Sequence, residues 1–150
     1  MKERRTLLAT ALMMAVWMLS SCSQEYTVRP AFSYREPLCS WGTDSRVVES
    51  YMTGYALISD NGYSLCYEGH GEETSYLYAF TAPREGLYYV VVSFPPGTEK
   101  EVKAYLEDRY GTAPDGRMYF TADGKTVITV TQDTGVYVTY MSRVWTDHAP

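Results

Sequence analysis

The stretch LYYVVVSFPPGTEKEVKAYLEDRYG, residues 87–111, changes its hydrophobic period midway, and this change decides the fold class. Residues 87–94 are almost continuously apolar, which predicts a central strand covered on both faces. Beyond two prolines the apolar positions recur at helical spacing: Val102, Tyr105, Leu106 and Tyr110. A strand that passes directly into an amphipathic helix predicts a domain built from both kinds of element.

The ends of this helix carry their own signals. Thr98 and Glu101 have the spacing of a capping box, and Gly111 follows the last apolar position, where glycine commonly ends a helix. Glu99 and Lys103 are four residues apart, which predicts an ion pair on the solvent side. We therefore expect a helix between Thr98 and Gly111.

The segments on either side predict strands. Before residue 87, residues 47–59 and 63–67 flank Asp60-Asn61-Gly62, a tight-hairpin signal, and residues 74–82 alternate up to a turn at 83–86. The later strands are expected at 117–120, 125–132 and 136–145, separated by glycine-containing turns. The whole predicts an α+β domain: a mainly antiparallel β-sheet of about seven strands, with one α-helix packed on a face. The strand order stays open.

The chain begins with the pattern of a leader. Lys2, Arg4 and Arg5 give a positive start, and residues 6–19 are uncharged and mostly apolar. A helix over residues 6–19 spans about 21 Å, less than the roughly 30 Å of a bilayer core. This predicts a signal peptide over residues 1–21. A permanent signal anchor and an ordinary, unlipidated signal peptide stay open as alternatives.

The leader ends in Leu19-Ser20-Ser21-Cys22, an aliphatic residue and two small residues before a cysteine. This resembles the signal of bacterial lipoproteins. The resemblance implies a diacylglycerol on the Cys22 sulfur, cleavage before Cys22, and acylation of the new amino group by a chain such as palmitate. Several acyl chains hold a protein on a membrane, whereas one alone binds marginally. By the enterobacterial sorting rule, Ser23 in the next position implies the outer membrane, and the side that the protein faces stays open.

The mature chain is expected to divide into two parts. Residues 22–45 contain two prolines and no clear period, which predicts a tether, and residues 46–150 form a single domain. Cys39 and Cys66 remain as an even pair in an oxidising compartment, so a disulfide is one interpretation, worth roughly 3 to 4 kcal/mol by loop closure. Two buried free thiols are the other.

Composition and missing motifs exclude several functions. Hydrophobic residues make up 45% of the chain and charged residues 21%, which is typical of a folded domain. The net charge of −5, made more negative by loss of the basic leader, argues against a nucleic-acid partner. The sequence contains none of the common hydrolase, phosphate-loop, dinucleotide or zinc-protease motifs and only two histidines, so we expect no cofactor.

One polar cluster, CYEGHGEET at residues 66–74, merits a chemical interpretation. Glu68, His70 and Glu72 are candidate ligands of a divalent cation, and His70 is a candidate base for Cys66. The glycines on both sides of His70 equally favour a solvated, mobile hairpin loop without chemistry. His148 is expected to be frayed.

The 15 tyrosines are a second lead. By strand alternation Tyr76 and Tyr78 share one face, Tyr137 shares a face with Thr139, and Tyr88 and Tyr89 point to opposite faces. An exposed tyrosine row built on Tyr76 and Tyr78 would suit protein or glycan contact. Packing within the sheet is the alternative.

These observations predict a lipoprotein of the cell envelope, anchored in the outer membrane through Cys22, that binds a protein or glycan partner without catalysis. A structural or assembly accessory of an envelope complex is the alternative, and a carboxylate-based hydrolase a more distant one. An exposed tyrosine patch would favour the binding module. A flat apolar face or a free strand edge would favour the accessory. A cleft with convergent carboxylates would favour the enzyme.

Overall fold

The computed structural model describes residues 31–111 and 116–146, and the compact unit that contains the sheet begins at Phe32. Seven strands form one sheet, with two helices and a final helical turn. In chain order the elements are α1 (Ser45–Tyr51), β1 (Leu57–Asp60), β2 (Ser64–Glu68), β3 (Ser75–Ala82), β4 (Glu85–Phe94), α2 (Glu99–Tyr110), β5 (Met118–Phe120), β6 (Thr126–Gln132), β7 (Val136–Ser142) and the turn α3 (Arg143–Thr146). The α+β class is confirmed, but the chain has more than the one predicted helix.

The strand order left open by the sequence is β1-β2-β3-β4-β7-β6-β5, with every neighbouring pair antiparallel. The first four strands form a meander. Helix α2 then carries the chain from the centre of the sheet to its far edge, and the second meander returns until β7 pairs with β4. Strand β4 is therefore central, as predicted.

The hydrophobic core lies on one face of the sheet, called here the core face. Its strand residues are almost fully buried: Leu65, Tyr67, Tyr76, Tyr78, Phe80, Leu87, Val90, Val92, Phe94, Tyr119, Ile128, Val136, Val138 and Tyr140. Val48 of α1 and both Val102 and Leu106 of α2 join the same cluster with no exposed surface. Helices thus cover this face.

The other face is called here the open face. It comprises the residues that alternate with the core positions: Ser64, Cys66, Glu68, Ser75, Leu77, Ala79, Tyr89, Val91, Ser93, Met118, Phe120, Val127, Thr129, Thr131, Tyr137, Thr139 and Met141. Apart from Ala79 and Val127 these are half-buried or exposed, and the apolar residues that α1 and α2 bury belong to the core cluster on the other face. The expectation that β4 is covered on both faces is therefore not met within the described residues.

Helix α2 matches the predicted stripe, and its ends match in part. Lys103 Nζ lies 2.6 Å from Glu99 Oε1, and Gly111 ends the helix with a φ of 69°, a conformation that favours glycine. The capping box is wrong: the Thr98 hydroxyl donates to the Pro95 carbonyl at 2.8 Å and makes no cap bond. Thr98 has φ −92° and ψ 5°, whereas a residue that caps through its side chain typically has an extended backbone.

Helix α1 occupies residues that the sequence predicted as the start of a strand. The Asp44 carboxylate accepts from the backbone N–H groups of Arg46, at 2.9 Å, and Val47, and so caps the helix. Val48 and Met52, one turn apart, are both buried. Capping and burial on one side outweigh the strand preference of the paired valines, so strand β1 is confined to Leu57–Asp60.

Residues 32–44 belong to the core, which corrects the boundary between tether and domain. The Tyr34 ring packs 4.9 Å from Phe94 and 4.7 Å from Tyr105, and its hydroxyl bonds that of Tyr140 at 2.5 Å. Leu87 exchanges backbone hydrogen bonds with residues 42 and 43. Of the predicted tether, 22–45, residues 22–30 lie outside the described residues, and the folded part starts before residue 46.

Arg84 connects the β1–β2 turn to the β3–β4 turn. Among the described residues it is the non-glycine residue with a positive φ, which is 60°. Its N–H donates to the Gly62 carbonyl at 2.6 Å, and its carbonyl accepts from Ser45 N–H at 2.8 Å. Its guanidinium pairs with Glu49 and Asp60. These contacts hold α1 and two hairpins together and compensate the backbone strain.

The buried hydroxyl pair tests the role of residues 32–44. Tyr34→Phe or Tyr140→Phe leaves one buried hydroxyl without its partner and should lower the free energy of unfolding by about 1 to 2 kcal/mol. The double variant should lose less than the sum, because neither hydroxyl remains. Urea denaturation of the four proteins measures the coupling.

Tyr137→Phe on the open face is the matched control. Its hydroxyl bonds the exposed Thr134 at 3.0 Å, so its loss should change the unfolding free energy by less than about 0.5 kcal/mol. Additive losses from the Tyr34 and Tyr140 variants would contradict a direct contact.

Candidate functional site

The open face is built from ladders of side chains that run across six strands, from β2 to β5. One ladder contains Cys66, Leu77, Val91, Thr139, Thr129 and Met118. The next contains Ser64, Ala79, Tyr89, Met141, Val127 and Phe120. Neither ladder holds a charged residue. An antiparallel sheet normally turns polar side chains toward water, so this apolar surface requires an explanation.

A third ladder is the polar margin of the open face. It contains Glu68, Ser75, Ser93, Tyr137 and Thr131. Glu68, at its β2 end, is the one charged side chain that the three ladders of the described sheet contain. Tyr137 and Thr139 share this face, as predicted. A dry centre with a polar border is the usual anatomy of a protein interface.

Tyr88 and Tyr89 do not point to opposite faces, which corrects the prediction. The register of β3 against β4 shifts between Ala79 and Phe80, which pair with Tyr89 and Leu87, so Tyr88 is the extra residue of a β-bulge. The two rings meet edge to face at 4.6 Å. A bulge breaks strict alternation and brings neighbouring side chains together. Tyr89 thereby lies on the open face with Tyr88 against it.

Tyr76 and Tyr78 share a face, but it is the core face, and both are fully buried. The Tyr76 hydroxyl donates to the Arg35 carbonyl at 2.8 Å, and the Tyr78 hydroxyl lies 3.3 Å from Met52 Sδ. Burial raises the pKa of both phenols. These rings are packing residues and cannot form the exposed ligand-binding row proposed from the sequence.

The loop after β2 does not assemble a metal site. Glu68 and Glu72 are exposed, and the His70 ring stacks on Tyr55 at 4.3 Å and 6°. Among the described residues, no group of three or more His, Cys, Asp or Glu side chains is arranged to hold a metal ion. With its ring on Tyr55, His70 forms no hydrogen bond with Cys66 in the described contacts.

Glu73, a member of the polar cluster that was not among the candidate ligands, organises this loop. It is 5% exposed, and Oε1 accepts from His70 N–H at 3.3 Å. A Cβ on Gly69 would lie 2.1 Å from the Glu73 carbonyl oxygen, and one on Gly71 would lie 3.1 Å from Oε2. The glycines are thus needed for space around Glu73. The signal in the sequence was a histidine between two glycines, with the carboxylate of Glu73 three residues after that histidine.

Cys39 and Cys66 are both free, so the disulfide interpretation is wrong. Cys39 Sγ donates to the Pro37 carbonyl at 3.6 Å, whereas Cys66 lies on the open face. Burial raises the pKa of the Cys39 thiol to about 12, and the carboxylates of Glu36 and Asp123 act in the same direction. Burial also raises the pKa of Cys66. Both thiols are therefore protonated near neutral pH.

Among the grooves of the described residues, two have at most one carboxylate in their lining. The first contains Asp44, which pairs with Arg46 at 2.8 Å. The second, of about 410 Å³, has an uncharged lining: Trp41, Gly42, Thr81, Gly86, Leu87, Tyr88, Ser142 and Val144. A third, along α2, contains Glu99 and Glu107, but these lie eight residues or about 12 Å apart along the helix, and Glu99 is paired with Lys103. A carboxylate-based hydrolase would need two convergent acids, which these grooves lack.

The anchor prediction falls on residues that the structure does not describe. Residues 1–21, Cys22 and Ser23 lie outside the described residues, as does His148. No helix within residues 31–111 and 116–146 is long and apolar enough to cross a bilayer.

Comparison of the chain with protein-family models, curated proteins and solved structures finds no match to any of them.

The free thiols can be checked by maleimide labelling followed by mass spectrometry. In the native protein at pH 8, Cys39 should react roughly 10³-fold more slowly than after unfolding, because its thiolate population falls tenfold for each unit by which the pKa is raised. Both cysteines should label after unfolding without a reductant. Cys39→Ser should remove the slow site and leave Cys66 unchanged. Labelling that requires prior reduction would contradict free thiols.

Proposed function

We propose that this protein is a lipid-anchored protein of the cell envelope, held in the outer membrane through Cys22, that acts without catalysis by docking a partner protein on its open face. The observation that carries this proposal is the pair of uncharged, mostly apolar ladders across six strands. Leaving such a surface in water forgoes roughly 25 cal/mol for every Å² of apolar area. A partner that covers the open face recovers this free energy.

The form of the surface favours a protein over a glycan. A site for a small polar ligand such as a sugar is normally a concave pocket with a few polar groups that fix the ligand. The open face is instead one side of a sheet, and the tyrosines of the predicted row, Tyr76 and Tyr78, are buried. In the sequence analysis, an apolar sheet face favours an accessory of an envelope complex. The proposed docking function is of this kind.

The anchor is tested by Cys22→Ala. The variant should retain its leader or be released from the membrane fraction, because the residue that receives the lipid is absent. Cys39→Ala is the matched control and should be cleaved and sedimented with membranes like the wild type. Mass spectrometry of the N-terminal peptide and membrane fractionation report the result. Normal processing and membrane retention of Cys22→Ala would refute the anchor.

Docking is tested by a photocrosslinking residue, p-benzoylphenylalanine, placed at Tyr89 in intact cells. Tyr89 lies on the open face, and irradiation should join it to a protein, visible as a shifted band. The same residue at Tyr63, which is 55% exposed in the β1–β2 turn, is the matched control and should give little adduct. Equal adducts at both positions, or an adduct at Tyr89 that glycan-degrading enzymes remove, would contradict a protein partner.

A further inference from the structure

The open face has the size that a protein interface requires. Its ladders span six strands, and neighbouring strands lie about 4.8 Å apart, so the face is about 24 Å wide between its outer strands. Successive ladders are two residues, or about 7 Å, apart along the strands. The three ladders therefore span about 14 Å along the strands. With about 6 Å of side-chain width added in each direction, the face measures roughly 30 by 20 Å, or roughly 600 Å² per copy. Two such faces together bury about 1,200 Å², the lower limit for a stable, specific interface.

The absence of charge points to a particular kind of partner. In a two-fold symmetric contact, each residue near the axis meets its own copy, so a charged residue there would face a like charge. The two central ladders hold no charged residue. Interfaces with a different protein commonly use complementary charges for steering, and an acidic chain has such charges in supply. The two central ladders of the open face carry no such charge.

The arrangement of side chains is also compatible with sheet-on-sheet packing. The six strands of the open face divide into two halves, and the middle lies between β4 and β7. Val91 and Thr139 are paired across this middle, with Tyr89 and Met141 in the next ladder. Large and small side chains alternate there, as is required for two sheets to interdigitate about 10 Å apart.

From these observations we propose that the partner on the open face is a second copy of this chain. Two copies pack face to face around a two-fold axis near Val91 and Thr139, which converts two single-sided sheets into one sandwich. The inference rests on the proposed function, because it names the occupant of the same docking surface.

The first test uses a cysteine at the proposed axis. The mature protein, extracted from membranes in detergent, carries Val91→Cys in a Cys39→Ala, Cys66→Ala background and is treated with copper phenanthroline. Val91 should meet its copy, so most of the protein should migrate as a covalent dimer without reductant. Leu57→Cys, on edge strand β1 and 51% exposed, is the matched control and should stay monomeric despite its greater exposure. Dimers from Leu57→Cys alone would overturn the proposal.

The second test measures mass by analytical ultracentrifugation in the same detergent. The wild type should be a dimer, and Val91→Lys should dissociate more easily by at least about tenfold in Kd, since it places two ammonium groups at the axis. Val47→Lys, on the outer side of α1 and 45% exposed, should dimerise normally. Circular dichroism confirms that both variants remain folded.

The results separate this inference from the proposed function. A monomeric wild type whose Tyr89 adduct is a different envelope protein overturns the homodimer and leaves the docking function standing. A monomeric wild type without any protein adduct at Tyr89 overturns both. A dimer that Val91→Lys does not weaken places the contact elsewhere and also overturns the inference.

Discussion

A single sheet has two faces, and the described chain has enough additional structure to cover one of them. Burial of the core face is the constraint on which the rest depends. Helix α2 contributes Val102 and Leu106, α1 contributes Val48, and residues 32–44 contribute Tyr34. The buried hydrophobic residues that the described chain contributes from outside the strands belong to the core cluster on this side. The open face is the remainder, and its chemistry follows from strand alternation once the core face is occupied.

The tyrosines show how burial of the core face positions side chains that have both an apolar ring and a polar hydroxyl. Several of the described tyrosines pack a ring into the core cluster and bond through the hydroxyl at its border. Tyr34 and Tyr140 satisfy each other's hydroxyls inside the core, and Tyr51 donates to the Glu36 carbonyl at its margin. Glu36 also accepts from Tyr110 and pairs with Arg109 of α2. This border ties residues 32–44 to the last turn of α2, so the segment is part of the fold and not a leash.

Local sequence signals predicted those elements whose formation needs only near neighbours. The α2 stripe, the Asn61-Gly62 hairpin and the final meander depend on residues close in the chain, and all three are present, although the last strand ends at Ser142 and the predicted strand residues 143–145 are helical. The prediction failed where a distant contact decides. Residues 47–51 look like strand, yet the Asp44 cap and burial of Val48 make them helical. Residues 32–44 lack any period because their partners lie across the sheet.

The same distinction between local signals and distant contacts applies to the candidate site. The sequence alone determined that the chain is acidic, that its strands carry apolar residues on both sides of β4, and that Cys22 follows a basic start and an uncharged, mostly apolar run. Alternation cannot say which face the helices take, nor that a bulge turns Tyr88 against Tyr89. Those outcomes required the tertiary structure, because strand register and coverage arise from contacts between residues far apart in the chain. The continuous apolar run of residues 87–94 predicted a cover on both faces, and the described residues supply one of them; a partner as the second cover is what we propose.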